Sequence, residues 1–125
     1  MVSQYETLII RLHVLVELIA GFILCCSPLT FVPLASATHS ESLRGVGNGA
    51  LAIGFVGVAL LTLPPTSRPN VFFGVIAMYH LGVVWLQLRA PMPNIPWWLP
   101  PGFHGLLAAW FVARSLQNKS SDFKS

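Results

Sequence analysis

The side chains able to do chemistry are few, and most of them interrupt apolar runs. Glu17 lies in Thr7–Cys26 with Arg11 and His13, Arg44 and Asn48 lie in Ser42–Leu63, His80 and Gln87 lie in Asn70–Leu88, and His104 lies in Pro101–Leu116. A carboxylate and an imidazole exchange protons near neutral pH, so Glu17 and His80 form the candidate catalytic pair. Arg44, Asn48 and His104 offer hydrogen bonds to a substrate oxygen and form the candidate substrate-binding set. A carboxylate among apolar groups is either neutral or paired with a cation. The pairings open to Glu17 are Arg44, Asn48 and His80. In this scheme Glu17 is the acid or base, His80 is its partner, Asn48 orients the substrate oxygen and Arg44 sets the charge of Glu17. The same residues also suit a purely structural role, because buried polar groups fix the packing of membrane helices. His13 and His104 suit an interface, and Arg11 can snorkel to a membrane surface.

Other chemistries find little here. The four histidines are dispersed and no HExxH or CxxC pattern occurs, so no metal and no cofactor is expected. Cys25 and Cys26 are neighbours, which disfavours a strain-free disulfide between them. There is no GxSxG, P-loop or dinucleotide fingerprint. The net charge of +3 is scattered, with no basic cluster interleaved with aromatics, so nucleic acid is not an expected partner.

The elements that must carry these groups follow from composition. Only 9% of the 125 residues are charged, against about 25% in an average soluble domain. The mean hydropathy is +0.70. A soluble domain of this size needs polar groups over a large surface, and eleven charged side chains cannot supply them. Charge is absent between Arg44 and Arg68, between Arg68 and Arg89, and between Arg89 and Arg114. Each gap can hold the roughly 20 apolar residues that cross a bilayer as a helix. The ten prolines fall at or outside the ends of these runs. The expected fold is all-α, a single membrane domain over residues 1–125. Its four transmembrane helices cover about 7–26, 42–63, 70–88 and 101–116, with a short cytoplasmic tail at 117–125. Ser40 or Ser42 is suited to cap the second helix. Gly45 and Gly49 have the spacing that lets membrane helices approach closely.

Lys and Arg set the orientation. Arg11, Arg68, Arg114, Lys119 and Lys124 fall on one side, and Arg44 and Arg89 on the other. The first side is expected to be cytoplasmic, with both termini inside; if the cell is eukaryotic, the expected membrane is the endoplasmic reticulum. The sequon Asn118-Lys119-Ser120 then faces the cytoplasm. Ala35-Ser36-Ala37 resembles a signal-peptide cleavage site, but Arg11 and Glu17 interrupt the preceding apolar run, so cleavage is not expected. Counting from the non-cytoplasmic side at about 1.5 Å per residue, Glu17 and His80 lie roughly 15 and 13 Å deep. Asn48 lies roughly 9 Å deep, and Arg44 and His104 within about 5 Å of that face. The expected result is a polar column from one face to mid-membrane.

The run ESLRGVGNGALAIGFVG at Glu41–Gly57 resembles the second helix of small four-helix membrane proteins of fungi and bacteria. Glu17, His80 and His104 extend the resemblance to the other helices. Some members look like pathway proteins for polyketides or terpenoids, among them membrane-bound epoxide hydrolases, cyclases and isomerases. The resemblance implies a small membrane enzyme, or an accessory to one, acting on a lipophilic metabolite in secondary-metabolite biosynthesis. Its partners would be the lipid bilayer, that metabolite and other membrane enzymes of the pathway. A non-catalytic scaffold or subunit of a membrane complex is the alternative, and a small lipid carrier a third.

Overall fold

The computed structural model describes residues 2–28, 37–89 and 96–117, with the side chains of 2, 3 and 37–39 left aside. The described chain is all-helical. Its four α-helices are α1 (Val2–Cys26), α2 (Ala37–Thr62), α3 (Asn70–Arg89) and α4 (Leu99–Leu116), with one 3-10 turn at Pro65–Ser67. The sequon, most of the tail and residues 35 and 36 of the cleavage-like triplet lie outside the described residues.

Three helices are long and apolar enough to cross a membrane, over Gln4–Cys26, Ser40–Thr62 and Asn70–Arg89. The fourth, α4, is not among them. Its 18 residues rise about 27 Å, short of the roughly 30 Å of hydrocarbon. It also carries Pro100, Pro101, His104 and Arg114.

Local chemistry accounts for the helix ends. The N–H of Ser27 closes the last turn of α1 on the Ile23 carbonyl at 2.7 Å, and Pro28 follows. The hydroxyl of Thr62 donates back to the Ala59 carbonyl at 2.7 Å, just before Pro64 and Pro65. Pro100 and Pro101 occupy the first turn of α4, where a missing N–H costs nothing. Helix α2 starts at Ala37, so Ser40 and Ser42 lie within it rather than at its cap. Helix α1 likewise begins five residues before the expected span.

The chain divides into two compact units, residues 1–68 and 69–125, each a hairpin of two helices. In the first, α1 buries one stripe: Glu6, Ile10, His13, Glu17, Gly21 and Leu24. These positions recur every three or four residues, which is one helix face. Facing it, α2 presents Gly47, Gly54 and Gly57. A methyl group on Gly21 would lie 2.9 Å from the Gly47 carbonyl oxygen and from the Leu51 amide. One on Gly47 would meet Leu24 and Cys25, one on Gly54 would meet Leu18, and one on Gly57 would collide with Val14. The two helices thus run antiparallel at backbone contact. The expected close approach through Gly45 is not the one used: a side chain there would enter open space.

The second hairpin is built from rings. Phe73, Ile76, Ala77, His80 and Val83 of α3 are buried, as are Pro101, Ala108 and Phe111 of α4. Phe73 stacks on Phe111 with centroids 6.3 Å apart and meets Trp110 edge-on at 6.5 Å. The guanidinium of Arg114 lies over Phe73 at 4.9 Å. Such pairs contribute about 0.5–1.5 kcal/mol each beyond the area they bury.

Candidate functional site

The second hairpin brings two of the sequence candidates together. His80 and His104 stand opposite one another on α3 and α4, with Nδ1 to Nδ1 at 2.9 Å. His80 is fully buried and stacks on Phe111 at 5.9 Å with only 13° between ring planes. Tyr79 meets the His80 ring edge-on at 5.3 Å, and Phe103 meets His104 at 5.5 Å. The register that pairs Phe73 with Phe111 also pairs His80 with His104, seven residues along each helix. An aromatic ladder therefore fixes the distance between the imidazoles.

That geometry limits the protonation states. A nitrogen-to-nitrogen contact at 2.9 Å is a hydrogen bond only if one Nδ1 carries a proton and the other offers its lone pair. In the neutral pair the donating ring then has a bare Nε2, and the accepting ring has an Nε2–H. Whichever ring donates, the pair offers one basic and one acidic nitrogen at its two ends. Transfer of the central proton, coupled to loss of a proton from one Nε2 and gain of one at the other, exchanges the two roles. A dry aromatic surround strengthens this bond relative to water.

The chain has no match among protein-family models, curated proteins or solved structures.

The functional reading therefore rests on the side chains themselves. In the first hairpin Glu17 is only 2% exposed, and so is His13 one turn before it. His13 is thus a core residue of α1. Its Cδ2 lies 3.3 Å from where a Gly57 methyl would stand, so Gly57 leaves the room the imidazole fills.

Glu17 does not meet Arg44 or Asn48. The antiparallel register sets both against Cys25: the Cys25 thiol donates to Asn48 Oδ1 at 3.2 Å, and the Arg44 carbonyl lies 3.9 Å from the same sulfur. Cys25 is eight residues along α1 from Glu17, roughly 12 Å. Both Arg44 and Asn48 are exposed. The expected role of Arg44 in setting the charge of Glu17 is therefore not supported by the register.

An ion pair of this hairpin lies at its other end, on residues that the sequence does not mark as a site. Arg68 Nη1 donates to Glu6 Oε1 at 2.9 Å, with both side chains nearly fully buried. Arg68 Nε donates to the Leu60 carbonyl at 2.9 Å, and Nη1 and Nη2 both donate to Thr7 Oγ1 at 3.2 Å. All three guanidinium nitrogens are thereby engaged. Arg68 had counted only as a topology signal. The available clue was Glu6 lying at seven- and eleven-residue spacing from His13 and Glu17, on one helix face.

Proposed function

We propose that this chain is a small integral membrane protein that performs acid–base chemistry on a lipophilic metabolite, with His80 and His104 as its proton-handling pair. The hydrogen bond between their Nδ1 atoms, inside an aromatic shell, carries the reading. Four membrane crossings, with both termini cytoplasmic, form part of the proposal. Three helices of sufficient length and apolarity support it, as does the outward face of α1, where Leu8, Leu12, Leu15, Ile19 and Phe22 are all exposed. Water would penalise that stripe, and lipid would not.

The pair suits opening of an epoxide, and equally a cyclisation or isomerisation that gives and takes one proton. In the epoxide case the ring bearing Nε2–H protonates the oxirane oxygen as its C–O bond breaks. A water molecule or an internal hydroxyl forms the new C–O bond and yields its proton to the bare Nε2 of the other ring. The central proton crosses from Nδ1 to Nδ1. One proton has been given and one taken, and the two rings have exchanged tautomers. His104 thus moves from the substrate-binding set into the acid–base machinery. Glu17 enters the proposal on its sequence depth and its burial, as a second acid or base. Asn48 and Arg44, exposed at the other end of the α1–α2 hairpin, have no part in it.

The test is metabolite profiling by mass spectrometry of a deletion strain, rescued with wild type, His80→Ala, His104→Ala or Glu17→Gln at matched membrane levels. A lipophilic intermediate should accumulate, and wild type alone should clear it. Clearance by both histidine variants would remove the enzymatic reading and turn attention to a scaffold or complex subunit.

A further inference from the structure

The outer face of α1 near its start carries a second feature that the acid–base pair does not use. Gln4, Thr7, Leu8 and Arg11 lie at helical spacing on one face and, with Pro65, line an open groove of about 380 Å³. Arg11 is exposed. Among the described residues the ion pair is Glu6 with Arg68, and Arg11 forms none. Arg11 is seven residues into the apolar segment that begins at Gln4, about 10 Å along the helix. A guanidinium at that depth is costly in hydrocarbon unless its head reaches the interface and finds an anion.

The groove provides the route. Side chains on a helix lean toward its N-terminus, so Arg11 leans toward Thr7 and Gln4, the end at which α1 leaves the apolar layer. Beneath it Arg68 is neutralised by Glu6 and donates twice to Thr7 Oγ1. Gln4 adds an amide donor at the outer end. Leu8 and Pro65 are the apolar members of the lining. The groove thus carries one uncompensated cation, the Gln4 amide as a donor beside it and an apolar flank.

We propose that this groove binds the headgroup of an anionic phospholipid, with the Arg11 guanidinium on the phosphate and the Gln4 amide beside it. A planar fork suits two phosphate oxygens better than an ammonium does. The site rests on the membrane reading of α1 and not on the proposed reaction, and its test reads lipid retention rather than turnover.

The full chain is purified in nonionic detergent with equal amounts of phosphatidylglycerol and phosphatidylcholine of the same acyl chains. Bound lipid is counted by native mass spectrometry. Wild type should retain phosphatidylglycerol preferentially, and Arg11→Gln should lower that preference about fivefold, the effect of one basic residue at an anionic surface. Arg11→Lys should retain more of it than Arg11→Gln. Arg44→Gln, which removes an exposed arginine at the other end of the hairpin, should leave it unchanged. Unchanged preference in Arg11→Gln, or an equal loss in Arg44→Gln, would overturn the site. Displacement of the lipid by millimolar glycerol 3-phosphate would assign the groove to a soluble phosphate and overturn the lipid assignment.

Discussion

The two hairpins solve one problem by opposite means. Each must hold two apolar helices together while burying ionisable side chains. The α1–α2 hairpin lets backbones touch through glycines and holds the buried ion pair of Glu6 with Arg68 at one end. The α3–α4 hairpin keeps its helices apart with Phe73, Trp110 and Phe111, and its buried polar contact is a hydrogen-bonded imidazole pair beside those rings. A full ion pair with every guanidinium nitrogen engaged is suited to fixing a structure. A single hydrogen bond between two titratable rings is suited to moving a proton. Under the proposed function, stability belongs to the first polar cluster and chemistry to the second.

The largest effect should come from breaking the ion pair. Arg68→Ala leaves Glu6 buried beside a void, and Glu6→Ala leaves the guanidinium uncompensated. Removing one partner of a buried pair costs about 3–5 kcal/mol. Thermal unfolding of the full chain in detergent, followed by circular dichroism, should show each variant strongly destabilised. Replacing both residues with Met should recover most of the loss. A change below about 1 kcal/mol in both single variants would mean that the pair is not the anchor of its hairpin, and the contrast between the hairpins would fail.

Next comes the glycine seam. Gly21→Val puts a side chain against the Gly47 carbonyl and the Leu51 amide, which are backbone and cannot swing aside. A loss of about 1–3 kcal/mol is expected, near the upper end because backbone must move. Gly45→Ala, which meets nothing within 4 Å, should be neutral or slightly stabilising in the same assay. Equal effects at the two positions would refute the seam.

How much of this was legible in the sequence divides along the same line. Charge gaps and prolines placed all four helices, and the ends of α2, α3 and α4 agree with the expected spans to within one or two residues, apart from the early start of α2. Those are local signals, since proline and charge act on the helix that contains them. What the sequence could not supply was register. Gly45 has the right spacing, but a side chain there would meet nothing, and the seam runs through Gly47, Gly54 and Gly57, because the face a helix uses is fixed by its partner. Arg68 and Glu6 are 62 residues apart, and no local pattern joins them. His80 and His104 were both singled out, yet in separate roles. Their pairing depends on α3 and α4 meeting in the register that also stacks Phe73 on Phe111.

The smallest stability effect should come from the pair assigned the most function. A neutral hydrogen bond contributes about 0.5–1.5 kcal/mol net, and a buried nitrogen left without its partner costs about 1–3 kcal/mol. His80→Phe and His104→Phe singly should therefore be mildly destabilising. The double variant should lie near wild type, because both polar atoms leave together and the new rings can join the aromatic ladder. A double-mutant cycle on thermal stability should return a coupling of about 1 kcal/mol, well under that of Glu6 with Arg68. The same double variant should fail to clear the accumulated metabolite. Stability kept while turnover is lost would separate chemistry from packing at these two positions. A coupling as large as that of the ion pair, with turnover intact, would place His80 and His104 among the structural contacts and leave Glu17 as the buried titratable group to pursue.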